Sequence, residues 1–142
     1  MLLFKKKFLE QIKRGEKTQT IRFWEYRRMK PGQRSYIPGI GYIAIVSVEP
    51  VELSLLTDED AMLDGFSSAD LLRKEIRALY TTSVRKKKTP FKVRFSVYPP
   101  QDQEVMVQER KRKKQQQNVA HLQQDHVSQM LDKLLKMSER DT

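Results

Sequence analysis

The segment from Lys5 to Trp24 constrains the fold most, because its periodicity changes abruptly at a glycine. Four apolar residues recur at helical spacing and predict an amphipathic helix over about residues 5–14: Phe4, Phe8, Leu9 and Ile12. Gly15 follows at a position typical of a helix C-terminus, where a left-handed conformation is needed. The next residues, KTQTIRFW, are rich in β-branched and aromatic side chains. The sequence therefore predicts a helix, a stop and a strand in direct succession.

Turn residues and apolar periodicity predict further strands. The turn Lys30–Gln33 contains a Pro-Gly pair and precedes RSYI and GYIAIVSVEPVELSLL, which are typical of strands, with breaks at Pro38-Gly39 and Pro50. The alternating segment FKVRFSVY predicts a last, half-buried strand. Pro99-Pro100 ends that strand and marks the expected domain boundary. We therefore expect one domain over residues 1–100 and a polar, partly helical tail over residues 101–142.

Two capping patterns predict helices between these strands. Thr57 with an acid three residues on is the first, and Ser67 followed by Asp70 is the second. The second pattern precedes an apolar face that predicts a helix over about residues 68–80, and VRKKKTP after it is predicted to be a basic loop. This order of elements predicts an α+β fold: a small, bent, mostly antiparallel sheet with barrel-like closure and flanking helices.

Composition limits the classes of function. The net charge is +10, and residues 1–34 hold 11 Lys or Arg against three Glu. A positive field of this kind favours a polyanion such as nucleic acid as partner. Cysteine is absent and both histidines lie in the tail, which argues against thiolate or histidine sites, so we expect no metal and no cofactor. No apolar run approaches the roughly 20 residues of a membrane span, and we expect a cytoplasmic protein without a membrane partner.

The tail differs in kind from the domain. After the polar run QERKRKKQQQN, apolar residues at helical spacing form a single stripe: Val127, Met130, Leu131, Leu134 and Leu135. One stripe on an isolated helix has nothing to bury against, so it packs on the domain, pairs with a partner or second copy, or frays. The basic run RKRKK, within the polar part of the tail, is compatible with a solvated helix face or with a nucleic-acid patch.

The strand after Gly15 carries the candidate binding residues. Alternation places Thr18, Thr20 and Arg22 on one face, which suits a polar, anionic ligand because a guanidinium forks two hydrogen bonds to an anion. The alternative is an ordinary strand with a solvated arginine. Trp24 with Arg27 and Arg28 suggests base stacking beside phosphate contacts, and core packing of the indole is the competing interpretation.

Several of these segments together resemble the activating-signal-cointegrator homology (ASCH) domain: LLFKKKFLEQIKRGEKTQTIRFW, MKPGQ, LTDEDAMLDGF and FKVRFSV. The resemblance covers about residues 1–98 and implies a PUA-like β-barrel that binds RNA or nucleotides. One bacterial branch of that family is described as amidohydrolases that deacetylate N(4)-acetylcytidine with a Lys-Thr-Glu set. Lys17 and the nucleophilic Thr20 fall on that motif, whereas Asp64 stands at the Glu position and reaches about 1 Å less far.

Three functions follow as expectations. The first is binding of RNA or a modified nucleoside through a basic, Thr-lined cleft with these residues: Lys17, Thr18, Thr20, Arg22, Trp24, Arg27, Arg28 and Asp64. The second is an amidohydrolase with Lys17, Thr20 and Asp64 in catalysis. Because a threonine hydroxyl is almost wholly protonated, it needs a base, and without a histidine only Lys17 and Asp64 can serve. A lysine base requires a pKa lowered by burial or by Arg22. The third is an interaction module that acts through the C-terminal helix.

Overall fold

The computed structural model describes residues 1–140, with side chains as far as residue 138. Its regular elements, besides a 3₁₀ turn at Leu53–Leu55, follow in this order: α1 (Lys6–Lys13), β1 (Gln19–Trp24), β2 (Arg34–Ile37), β3 (Gly41–Pro50), α2 (Asp58–Leu63), α3 (Ala69–Leu79), α4 (Thr82–Lys87), β4 (Thr89–Val97) and α5 (Pro100–Arg140). Met1–Pro99 form one compact unit, and a second unit begins at Pro100. The α+β class predicted from the sequence is confirmed.

The four strands form one sheet in the order β1-β4-β3-β2, and every pair is antiparallel. Within residues 1–140, β1 pairs with β4 alone and β2 with β3 alone, so the sheet is open rather than closed into a barrel. The register between β3 and β4 shifts between Ile45 and Ser47. An extra residue of this kind bends a strand and increases its twist. The sheet is therefore bent, as expected, without closure.

Two hydrophobic clusters fill the unit. One joins β3 and β4 to α1 through residues such as Ile12, Ile45 and Val93, which are almost fully buried. The other joins Ile21 and Phe23 of β1 to apolar residues of α2 and α3. Five of the six residues of β1 are buried although it pairs with one strand only. Helix packing, and not strand pairing, therefore buries the first strand.

The N-terminal cap of α2 is the one that the sequence predicts, and the N-terminal cap of α3 is not. Thr57 and Asp60 form the predicted capping box, in which each side chain accepts from the other's backbone N–H. The cap of α3 is Ser68 rather than Ser67, since the Ser68 hydroxyl accepts from Leu71 N at 3.2 Å. Ser67 carries the better sequence match only because an acid stands three residues after it. A hydroxyl placed to accept from the third helical N–H decides the cap instead.

The basic segment after α3 is a short helix, α4, and not the predicted loop. The Thr81 side chain caps it by accepting from Val84 N. Three consecutive cations, Arg85–Lys87, form its last turn. Positive charge at a helix C-terminus is favourable because it complements the helix dipole. The clustered cations that suggest a loop thus stabilise a helix end here.

The C-terminal helix α5 is long and exposed. It runs from Pro100 to Arg140, and every side chain over residues 107–138 is exposed to solvent. The sequence predicts a tail that is only partly helical, whereas residues 101–140 form one continuous helix. Among the helices of residues 1–140, none combines the length and the apolar character needed to cross a lipid bilayer.

Candidate functional site

Lys17 enters the interior of the domain because the chain reverses just after α1. Gly15 has φ +75°, and the N–H groups of Glu16 and Lys17 both donate to the Gln11 carbonyl, at 2.9 and 3.1 Å. Thr18 N then donates to Leu63 O at 2.8 Å, which ties the start of β1 to the end of α2. The Lys17 side chain is only 3% exposed. A lysine that follows a helix stop is therefore buried.

Asp64 is the partner of this lysine. It ends α2, and Gly65 with φ +88° turns the chain directly after it. Lys17 Nζ lies 2.6 Å from Asp64 Oδ1 and also donates to the Asp64 carbonyl oxygen. Both side chains are almost fully buried. Aspartate is shorter than the glutamate that the family resemblance implies at this position. It still reaches Lys17, because the turn at residues 64–65 brings both the backbone carbonyl and the carboxylate of Asp64 to the ammonium group.

Gln19 holds the second oxygen of the same carboxylate. Its Nε2 lies 3.3 Å from Asp64 Oδ2 and 3.2 Å from the Asp60 carbonyl, and the residue has no exposed surface. The position two residues after Lys17 lies on the same side of the chain, as strand alternation requires. Asp64 is thus held from β1 by a cation at one oxygen and an amide at the other.

Burial governs the protonation of this pair. It lowers the pKa of Lys17, and the nearby charge of Arg22 acts in the same direction, while attraction to Asp64 opposes it. Burial likewise raises the pKa of Asp64, against the hydrogen bonds from Lys17 and Gln19. Both shifts have the same physical cause, because burial disfavours the charged form of each group.

Thr20 and Arg22 lie side by side, as the alternation of β1 predicts. Arg22 Nε donates to Thr20 Oγ1 at 3.2 Å, and Nη2 donates to the Leu3 carbonyl at 2.6 Å. The guanidinium carbon lies 4.7 Å from the centre of the Phe4 ring. Burial lowers the pKa of Arg22, although a guanidinium stays charged in proteins. The hydroxyl and the cation are therefore fixed relative to each other.

These residues line a cavity of about 250 Å³. Aromatic side chains from three segments form much of its wall: Phe4, Phe8, Phe66 and Tyr80. Apolar residues of α3 continue that wall: Leu72, Ile76 and Leu79. Lys17 Nζ lies 4.8 Å from the centre of the Phe8 ring and 5.7 Å from that of Phe66. The cavity thus combines an apolar, aromatic surface with one buried ion pair, one hydroxyl and one guanidinium.

An acidic residue of α3 also lines the cavity. Glu75 Oε1 lies 3.0 Å from Lys7 Nζ and 3.9 Å from Lys5 Nζ, and both lysines are exposed. Lys5 itself lines the cavity, and these ion pairs link the start of α1 to α3. Because all three charges are near solvent, we expect this link to be weak and to open readily.

The predicted site residues fall into two groups. The structure brings Lys17, Thr20, Arg22 and Asp64 together around the cavity. Thr18 is half-buried beside it and contributes backbone hydrogen bonds. Trp24 lies in the core with its ring 5.6 Å from that of Phe91, as in the packing interpretation. The exposed residues Arg27 and Arg28 follow β1 and do not line the cavity.

Sequence reasoning missed several residues of the cavity and its support. Gln19 is not among the predicted site residues, although its spacing from Lys17 places the two side chains on the same side of the chain. Phe4 and Phe8 were recognised only as the apolar face of a helix. Phe66 follows Asp64 by two residues, so its nearness to the site is a local signal that was available.

Comparison with known proteins supports the fold. No protein-family model matches the sequence, and neither does any curated protein. Two solved structures are similar: the hypothetical protein PH0355 has a TM-score of 0.58 and 19% identity, over 68% of this chain and 95% of its own. The ASCH domain from Lactobacillus crispatus JV V101 has a TM-score of 0.54 and 17% identity, over 63% of this chain and 69% of its own. These two similarities show that the chain shares the α+β fold of PH0355 and of that ASCH domain structure.

Proposed function

We propose that the cavity binds a single nucleoside, free or within an RNA strand. The observation that carries the proposal is the buried Lys17–Asp64 pair, which faces the same cavity as Thr20 and Arg22 beside an aromatic wall. Binding pockets for small molecules combine this kind of apolar lining with a few convergent polar groups. A buried ion pair contributes little to stability by itself, so a role in binding is the better reason for its presence.

The aromatic wall suits a nucleobase. Phe8 and Phe66 lie 5.9 Å apart with their planes tilted by 59°, and Phe4 lies beside the Arg22 guanidinium. Single-stranded or free bases bind proteins largely by stacking on aromatic rings and on arginine, at roughly 1–3 kcal/mol per base. A cavity of about 250 Å³ is smaller than the roughly 300–1,000 Å³ pockets of drug-sized ligands. Its size therefore favours one base over several.

The polar groups suit the edge of a base. The hydrogen bonds of Arg22 within residues 1–140 use Nε and Nη2, and Arg22 lines the cavity, so its remaining N–H groups can donate to a ligand there. Lys17, in contrast, already donates two of its three N–H groups to Asp64. We therefore assign the contact with a carbonyl or anionic oxygen of the ligand to Arg22. Thr20 can donate or accept beside it.

The proposed binding is tested by calorimetric titration with cytidine, uridine, N(4)-acetylcytidine and short single-stranded RNA. We expect at least one nucleoside to bind, and Arg22→Gln to weaken its affinity by about tenfold or more, as loss of a charged hydrogen bond does. Arg27→Gln is the matched control, since this arginine lies outside the cavity. Absence of binding to every ligand, or equal losses in both variants, would contradict the proposal. Affinity for RNA should also fall steeply with salt through counterion release.

A second candidate function is hydrolysis of N(4)-acetylcytidine, and the direct contact between Lys17 and Asp64 favours it. In this scheme Lys17 first gives a proton to Asp64, the Thr20 hydroxyl oxygen attacks the acetyl carbon, and the hydroxyl proton passes to the neutral Lys17. The C–N bond then breaks as Lys17 returns that proton to the leaving N4, which releases cytidine. Water hydrolyses the acetyl-threonine to acetate and regenerates the hydroxyl. Burial assists because it lowers the pKa of Lys17.

Chromatography of the products separates the two functions. If the chain is the hydrolase, cytidine accumulates with the wild-type protein, Thr20→Ala abolishes release, and Thr20→Ser retains a part of it. If it is a binding protein, N(4)-acetylcytidine is recovered intact while titration still reports binding. Equal release by wild type and Thr20→Ala would contradict the hydrolase.

A further inference from the structure

The second unit carries a separate feature that the proposed nucleoside site does not use. From Val119 to Met137, eight large apolar side chains of α5 are each 53–67% exposed. Six of them lie between those two ends: Leu122, Val127, Met130, Leu131, Leu134 and Leu135. At about 100° per residue, six of the eight lie within about 120° of arc on one side of the helix, and Leu122 and Leu135 lie beyond its two edges. Asp125 and Lys136 lie near the centre of the opposite side. We call this side the apolar face of α5.

We propose that the apolar face of α5 binds the same face of a second copy of the chain, as an antiparallel helix pair. A second copy is the one partner whose matching surface is already present, because a two-fold contact joins a patch to itself. The face covers 19 residues and is therefore about 27 Å long. That length is enough for five turns of helix to pack side by side.

The exposed area is sufficient for a contact between two copies. Complete burial of a Val, Leu or Met side chain removes about 60–120 Å² of apolar surface, from its transfer free energy of about 1.5–3 kcal/mol. The six side chains that share one side of α5, at just over half exposure, present roughly 300 Å² per copy. Since about 60% of an interface is apolar, two copies would bury roughly 1,000 Å² in total. This is the area that a biological interface is expected to reach, about 1,000 Å².

Charge decides the direction of the pair. Five consecutive cations, Arg110–Lys114, precede the apolar face on the same helix. A parallel pair would place the two basic runs side by side, which like-charge repulsion disfavours. In an antiparallel pair centred on residue 128, the two runs lie about 48 Å apart, several times the Debye length of about 8 Å. This arrangement also places Val119 opposite the partner's Met137 and Leu122 opposite the partner's Leu134.

The oligomeric state of the full chain tests the pairing. Sedimentation equilibrium at up to about 100 µM should show a dimer, as expected for a Kd in the micromolar range. Leu131→Glu/Leu134→Glu should be monomeric, since it buries two like charges in the contact. Lys136→Glu, which changes a charge on the opposite side of the helix, should remain a dimer. A monomeric wild type, or a double variant that still dimerises, would overturn the proposal whatever the nucleoside site binds.

The absence of cysteine from the chain permits a clean test of direction. Mixing Val119→Cys with Met137→Cys under oxidising conditions should give a disulfide between the two different variants. Neither variant alone should cross-link at a comparable rate. A parallel pair would give the reverse result, with rapid cross-linking of each variant to itself, and would overturn the antiparallel arrangement.

Discussion

The two units of the chain depart in opposite directions from the usual placement of apolar residues inside and charged residues outside. Within Met1–Pro99, Lys17, Gln19 and Asp64 are buried, while α5 leaves ten large apolar side chains exposed. Folding stability explains neither, because burying charges costs desolvation and exposed apolar surface gains nothing. The two proposals give each departure a reason: a buried polar group serves a ligand in the first unit, and an exposed apolar face serves a contact between copies in the second.

Breaking the buried ion pair should have the largest effect. Lys17→Met leaves the Asp64 carboxylate buried without a cation, and we expect it to lower the free energy of unfolding by about 3–5 kcal/mol. Urea unfolding followed by the fluorescence of Trp24, the one tryptophan of the chain, reports on this unit directly. Lys17→Met/Asp64→Leu should recover most of the loss because it removes both charges. A loss below about 1 kcal/mol for the single variant would mean that water reaches the pair.

The turn after Asp64 should be the next most sensitive point. Gly65 has φ +88°, and a Cβ there would lie 2.5 Å from Gln11 Oε1. We expect Gly65→Ala to cost about 2–3 kcal/mol, through both the left-handed backbone and the clash. Gly32→Ala is the matched control, since Gly32 has φ +82° with open space around its Cβ position, and should cost about 1–2 kcal/mol. Equal losses in thermal unfolding would show that Gln11 yields, so that it does not hold the turn in place.

The capping acid of α2 should give a smaller effect that depends on pH. Burial alone would raise the pKa of Asp60, but the hydrogen bond from Thr57 N and the charge of Lys92 outweigh it and lower the pKa. A lowered pKa contributes stability above the unfolded value of about 3.9, and this contribution disappears as the pH falls through the folded value. Asp60→Asn should therefore cost about 1 kcal/mol at neutral pH and much less at about pH 3.

Glu59→Gln is the control for that measurement, because it removes a carboxylate from the same helical turn outside the capping box. Denaturant unfolding at both pH values compares the two variants. A penalty for Asp60→Asn that is the same at both pH values would show that the charge of Asp60 is not what stabilises the helix start.

The smallest effect on the first unit should come from the apolar face of α5. Leu131→Glu alters an exposed residue, and the Trp24-reported free energy of unfolding should change by less than about 0.5 kcal/mol. Leu72→Glu, at a buried position of α3, is the contrasting variant and should prevent stable folding. A loss above about 1 kcal/mol for Leu131→Glu would mean that the first unit covers this face in solution.

Much of the fold follows from local patterns in the sequence. The helix before Gly15, the strand after it and the capping box at Thr57 each depend on residues within a few positions of one another. Short-range spacing predicts such features well, since helices and strands have fixed periods. The cap at Ser68 and the helix α4 were missed because several polar residues competed for one signal, and hydrogen-bond geometry selected among them.

The candidate site was only partly predictable. Thr20 and Arg22 share a face because strand alternation is local, and the family resemblance drew attention to Lys17 and Asp64. The role of Gln19 could not be judged without knowing which carboxylate lies over β1. The place of Trp24 was equally open, because an indole beside arginines suits a stacking surface and a hydrophobic core alike.

By itself, the sequence determined the α+β class, the order of the elements apart from α4, the basic character of the domain and an apolar stripe in the tail. These properties depend on composition and on spacing along the chain. Only the tertiary structure decided that Lys17 and Asp64, 47 residues apart, are a buried pair and that aromatic side chains from α1 and the α2–α3 loop enclose them. The physical reason is that burial, and with it the pKa and the reach of each polar group, depends on neighbours that only packing brings together.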